Sequence, residues 1–476
     1  MSPQHLNALW LGLYCPALPL TAAWGLLPEA GPLAVHETGG QKARIIQASR
    51  AALALGVRPG QALTDALAIA PALHSRPRHR RLETQALERM AMLAYGYSHQ
   101  VTLVGCDTVL LEIAGSQRLL GNSQTLIDSL CRKARQRGFV VRSGLAPVAA
   151  ATPLLARHAK HCPDLSSLRQ TLRQTPITDL DISPEIKQAM TGCGLYTIGE
   201  LMHVPVADRT RRFGAHLNDD LAALFGHRPV PLPTWQPPER YRQRLELPAA
   251  TADSGALLFI FRRAIEHLGD WLDVRDHALT RLHAELERED GGTPETLDIG
   301  LARPGLDRER LLELIGLKLD RLRLTAPVTG IALSAETTAA HRPPQSDLFS
   351  GHNRNDAWPA LLDRLNARLG SDGLASLAPV ADHRPEKSWT WTAPGITAPC
   401  NESRPRPLWL LPQPRPCQRE SLQLQKGPER IESGWWDRHE CRRDYWIAMD
   451  QGGRCLWVFL EYEPRHGWFI QGFFDA

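Results

Sequence analysis

The sequence predicts an α+β multidomain chain that ends in a β-rich module, and three observations lead there. At 476 residues, with 43% apolar and 22% charged side chains, the chain is too long for one compact core yet has ordinary globular composition. Its first part alternates short apolar strands with amphipathic helices in the order strand, helix, strand, strand, helix, strand. That order suits a split-βαβ sheet with helices on one side. Residues 417–476, in contrast, are aromatic and alternate in the period of strands.

The elements follow in order. ALWLGLYC (8–15) reads as a strand; with no Lys or Arg before it and prolines breaking its run, it fits neither a secretory signal nor a membrane span. Residues 43–73 read as a strand and two Ala-rich helices, broken at Gly56 and at Pro59–Gly60. RPRHRR (76–81) precedes an amphipathic helix over 82–98. Segments 101–104 and 109–113 form a hairpin whose second strand puts Val109, Leu111 and Ile113 on one face and Leu110 and Glu112 on the other. A helix (123–138) and a strand (140–145) complete the unit. Residues 165–232 are helical with short loops; within them SPEIKQAMTGCGLYTIGELMHVP reads as helix, Gly-rich hairpin, helix, Ser183 capping and Pro184 at the first helical position. From 241 to 334 a second small α+β unit appears. Prolines crowd 375–416, which reads as an extended linker. In the tail, DQGG (450–453) marks a hairpin and EPRHG (463–467) joins a further strand.

A net charge of +4 and a pI near 8.6 are compatible with nucleic acid without demanding it. Nine cysteines, scattered and never in a CxxC pair, point to a reducing cytosol and away from a disulfide framework or zinc ribbon. A cytoplasmic, non-membrane protein is expected.

This order of parts resembles the Y-family translesion DNA polymerases. ASRAALALGVRPGQALTDALAIAPAL is similar to that family's fingers, CDTVLLEIAG to its acidic palm motif and GLYTIGELMHVP to its helix-hairpin-helix thumb. The tail, GPERIESGWW through RRDYWIAMDQGGRCLWVF to GWFIQGFF, is similar to the C-terminal module of the Y-family-like component of a bacterial mutagenesis cassette. The resemblance implies a right-hand architecture: palm 1–24 and 76–164, fingers 25–75, thumb 165–237, little finger 238–339, a clamp-binding segment 340–355, a Pro-rich linker 356–416 and a partner-binding module 417–476.

The departures from the family bear on chemistry. Two-metal phosphoryl transfer needs carboxylates that clamp two cations, and magnesium wants oxygen ligands in octahedral geometry. The family's first palm Asp falls at about Gly12, and its Asp-Glu pair is here Asp107 followed by Thr108. Its triphosphate-binding Tyr and Arg fall in SRAALA, where Arg50 and Leu53 stand, and its palm Lys falls at about Ala149. The comparison implies an inactive polymerase with no catalytic residue, no cofactor and no metal; magnesium is required only under the competing reading, an active nucleotidyltransferase with a rearranged metal site. Asp107 by itself reads first as a turn residue opening a strand.

PPQSDLFSG (343–351) places Leu348 and Phe349 side by side, flanked by Gln345 and Asp347, able to enter an apolar pocket while Gln345 sets the register. It resembles the pentapeptide by which bacterial polymerases bind the sliding clamp. In the thumb hairpin Gly192 and Gly194 allow close approach to a DNA phosphate, against the plain reading of an αα-hairpin. Arg76, Arg78, Arg80 and Arg81, with Arg209, Arg211 and Arg212, are candidate phosphate contacts that read first as solvated surface. His158, His161 and Cys162 have a spacing a metal could use, but no second ligand pair stands nearby and a solvated helix end is the simpler reading. The tail's Trp435, Trp436, Tyr445, Trp446, Trp457, Trp468, Phe469, Phe473 and Phe474 belong to its own core, to an interface, or to both. The resemblance implies that this end recruits a RecA-like partner and a DnaE-type error-prone polymerase during damage-induced (SOS) synthesis. The expectation is an adaptor that binds DNA, the sliding clamp and a working polymerase. A general DNA-binding repair factor without clamp dependence is a third reading.

Overall fold

The computed structural model describes residues 8–24, 31–39, 42–339, 354–370, 373–393, 405–437, 439–463 and 465–474. It divides into two compact units, Met1–Ile299 with Pro304–Pro343, and Gly300–Arg303 with Pro344–Ala476.

Within the first unit the palm is a four-stranded antiparallel sheet. Trp10–Tyr14 lies between Thr108–Glu112 and Arg142–Ala146, and Val101–Val104 forms the edge beyond Thr108–Glu112. The period-2 alternation sorts its two faces. Leu11, Leu13, Val109 and Leu111 pack with Leu87, Met90, Leu126 and Leu130 of the helices Arg80–Tyr95 and Ser123–Gln136 in one apolar core. Asn122 caps the second helix, its side chain accepting from the Thr125 N–H at 2.9 Å.

The fingers are inserted between the first palm strand and the Arg80–Tyr95 helix. Leu33–Gly39 pairs with Lys42–Ala48 antiparallel and with His74–Pro77 in parallel, and the short helices Arg50–Ala54 and Leu63–Ile69 pack on this sheet. Their core is built from small residues, Ala34, Ile45, Ala52, Val57 and Ala66. Gly56, at φ +96°, makes the break between the helices as expected.

Five helices from Leu165–Gln174 to Ala215–Leu224 make the thumb around Leu168, Leu172, Met190, Ile198, Leu201 and Phe213. The little finger has the palm's element order but a different sheet: Glu295–Gly300, His277–Arg288, Val328–Ala339 and Arg242–Thr251 from edge to edge.

In the second unit the stretch 356–416 is not an extended linker. It carries the helix Arg354–Leu369, the ribbon Ser376–Pro379 with Trp389–Thr392, and a strand, Trp409–Pro416, that joins the C-terminal sheet. Proline is tolerated there because this strand is the sheet's edge, where a missing N–H costs no ladder bond on the open side. The sheet runs Trp409–Pro416, Gly467–Phe473, Cys455–Glu463, Cys441–Asp450, Leu422–Ser433, all antiparallel.

Candidate functional site

The palm face opposite the helical core is where an acidic site would be built. Gly12 sits at its centre, paired with Leu110 on one side and Gly144 on the other. The Thr152–Arg157 helix is seated on these two glycines. A Cβ on Gly12 would meet Thr152 Cγ2 at 2.9 Å and Ala156 Cβ and Leu110 Cδ2 at 3.2 Å. One on Gly144 would lie 2.2 Å from the Ala156 backbone N. The space where a first palm carboxylate would project is therefore filled with methyl groups. The glycine pair is legible in the sequence only as two scattered residues; the register that brings them together is not.

Asp107 lies half-buried at the mouth of its strand, and its Oδ1 accepts from the Thr108 hydroxyl at 2.8 Å. Thr108 is buried opposite Tyr14. Burial, with the negative charge of Asp107 second, pushes the Cys15 thiol up to about 12 and raises Tyr14 as well. Glu112 is structural, accepting from the Leu9 N–H at 3.1 Å and the Ala114 N–H at 2.8 Å. Among the described residues no cluster of three or more His, Cys, Asp or Glu side chains could hold a metal ion. One carboxylate, with no second acid beside it among the described residues, does not fit a pair of divalent cations.

Among the seven cationic candidates Arg78, Arg80 and Arg211 pair with acids, while Arg81 and Arg212 stand exposed. Arg78 makes a bidentate bridge to Glu83 at 2.7 and 2.8 Å, Arg80 reaches Glu37 at 3.4 Å, and Arg76 donates to the Ala23 carbonyl and lies over Trp24. Arg211 pairs with Asp208, and Arg209 is buried against Met202. Arg50 and Leu53 stand exposed on the first fingers helix, and Ala149 begins a short 3-10 turn. His158, His161 and Cys162 turn to separate partners, Asp179, Ser143 and Thr171.

In the thumb, Ser183 caps Pro184–Gly192 as expected, and Gly194 adopts φ +77° with open space at both Gly192 and Gly194. The donors a phosphate would need are nevertheless engaged. Thr197 and Glu200 form a capping box, in which the Glu200 carboxylate accepts from the Tyr196 and Thr197 N–H groups at 2.7 and 2.9 Å; these bonds lower its pKa. The outward face of the little-finger sheet is likewise charge-balanced: Arg244 bridges Glu287 at 2.6 and 2.8 Å, Arg281 faces Glu336, and His283 pairs with Asp298.

Gln345, Asp347, Leu348 and Phe349, the residues expected to bind a sliding clamp, lie outside the described residues.

Most of the buried charged side chains among the described residues lie in the second unit. Arg384, 2% exposed, is held by Asp382 and Asp437 at 2.6 and 2.8 Å, which keep its pKa above the ordinary arginine value. Arg443 donates to Glu461 at 2.8 Å and Glu386 at 2.9 Å. Arg430 and the Tyr462 hydroxyl both reach Asp444, depressing that carboxyl. The aromatic residues divide as the alternation in CLWVFLEY implies. Trp457 and Phe459 pack with Tyr445 and Phe469 on one face, Leu456 and Val458 with Trp446 and Trp468 on the other. Trp435 and Trp436 remain exposed, at 76% and 59%. Trp389, Trp391 and Trp409 are exposed as well and were hidden from sequence reasoning inside the proline-rich stretch.

Comparison with known proteins bears on both halves. Residues 24–161 match the impB/mucB/samB family. Over 88% of its length and the full length of the relative, the chain is 26% identical to Protein ImuB of Caulobacter vibrioides, in strains NA1000 / CB15N and ATCC 19089 / CIP 103742 / CB 15 alike. Similar solved structures include DinB from Sulfolobus solfataricus (15% identity, 70% of this chain and 100% of that one, TM-score 0.40). An insertion ternary complex of Dbh DNA polymerase is another (15% identity, 70% and 100%, TM-score 0.41). No described helix is long and apolar enough to cross a membrane.

Proposed function

We propose that the protein is a non-catalytic, polymerase-shaped adaptor in DNA-damage-induced translesion synthesis. The observation that carries this reading is the filled palm face: methyl groups of Thr152, Ala156 and Leu110 surround the Gly12 backbone where a metal-binding carboxylate would stand. A polymerase cannot clamp attacking and leaving oxygens with Asp107 alone. The paired arginines, the capped thumb hairpin and the balanced little-finger face support weak rather than tight DNA binding, since affinity for phosphates rises with each unpaired cation brought to them.

The chain docks on the sliding clamp through Gln345, Asp347, Leu348 and Phe349. Its C-terminal module, through the exposed indoles, engages a RecA-like ImuA protein and a DnaE-type error-prone polymerase. Clamp binding is tested by pull-down of the full chain on immobilised clamp. Leu348→Ala plus Phe349→Ala should abolish retention, while undiminished retention removes the segment's assigned role.

A further inference from the structure

A cavity of about 300 Å³ in the first unit, apart from the face that carries Asp107, is lined by Arg89, Trp235, Tyr241, Arg242, His267 and Asp270 among others. One wall is the Arg80–Tyr95 helix, which packs on the Leu11 and Leu13 side of the palm sheet. The facing wall is the Ser254–Arg275 helix of the little finger.

Its charges do not balance. The Arg89 Nε is buried with no hydrogen-bond partner, and neither Arg89 nor the nearby Arg263 has a carboxylate partner among the described residues. Burial, reinforced by Arg263, holds the Arg89 guanidinium down to about 9, and burial lowers Arg263. The acids close by are committed or out of reach. Asp270 takes two of the Arg137 nitrogens at 2.7 and 2.8 Å, and Glu266 takes the third at 2.8 Å. Glu88 lies on the lining with its side chain exposed, and no arginine acts on its carboxyl. His267 is kept neutral, by burial first and then by Arg89, Arg263 and Arg137. It leaves a hydrogen-bonding imidazole, joined to Gln243, beside the arginines.

Desolvated guanidinium groups without a counter-ion are costly, and a bound anion removes that cost. Planar guanidinium donors match phosphate oxygens, and the volume suits a small ligand. We propose that this cavity binds a phosphate group, free or on a small organic molecule, with Arg89 as its principal ligand and Arg263 and Arg242 adding positive charge.

Titration calorimetry on the full chain tests this with two probes, inorganic phosphate and dAMP. Binding of phosphate should weaken about tenfold or more in Arg89→Gln, the loss expected for a hydrogen bond to a charged group. Without phosphate the same variant should melt no lower than the parent, because a like-charge contact has gone. Arg263→Gln provides the same comparison if Arg89→Gln does not fold. Tighter binding of dAMP than of phosphate assigns the site to an organic phosphate, and equal or weaker binding to the inorganic ion. No binding of either probe at millimolar concentration, or unchanged affinity in both variants, overturns the proposal.

Discussion

The palm face around Asp107 and the C-terminal module use side chains in opposite ways. On the palm face a glycine pair lets a helix press methyl groups onto the sheet, and the one half-buried acid is tied to its neighbour's hydroxyl. In the module, arginines and acids are drawn into the interior and fully paired, while several indoles are left outside. Burying paired charge adds little net stability compared with apolar packing, but removing one partner is costly. Such networks fix local geometry, as the proposed partner-binding role would require. The contrast is between a palm face closed by apolar packing and a C-terminal region ordered by paired charge.

The contrast can be broken most directly at Gly12. Gly12→Asp places a carboxylate among Thr152, Ala156 and Leu110 with no partner; the expected loss is about 4 kcal/mol, from overpacking and an unpaired buried charge. A fall in the palm's denaturant midpoint checks this, and a tolerated substitution would show that the face can open. In the module, Glu461→Ala leaves Arg443 buried beside Glu386 alone and should cost about 3 kcal/mol, read by tryptophan fluorescence during urea unfolding. Acidification sharpens the same point. Asp382, Asp437 and Asp444 all have carboxyls depressed by their arginine partners. A depressed folded pKa contributes stability above the unfolded value, roughly pH 4, and that stability is lost as pH falls through the folded value. The module's near-ultraviolet signal should therefore weaken below about pH 4. Asp107→Ala has the smallest expected effect, under about 1 kcal/mol, because it removes one hydroxyl contact at a half-buried turn.

Much of this architecture was legible. The alternation of Val109, Leu110 and Leu111 gave both palm faces, Ser183 and Pro184 gave a thumb helix start, and CLWVFLEY gave the two sides of the C-terminal sheet. Departures at Gly12 and Thr108 were visible too, but only as missing acids. That the gap is filled depends on a strand register and a helix seat that connect Gly12, Gly144 and Ala156 across the chain. The Trp409–Pro416 strand was missed because proline reads as linker wherever the edge position that tolerates it is unknown. Nothing in the sequence marks Arg384 and Arg443 as buried, since their partners are set by cross-strand register and by the 382–387 segment folding back.

Primer extension by the full chain on a primed template, with magnesium and with manganese, tests the central claim most directly. The account predicts no nucleotide incorporation above background by the parent chain or by Asp107→Ala. Robust incorporation by the parent that disappears in Asp107→Ala would contradict it.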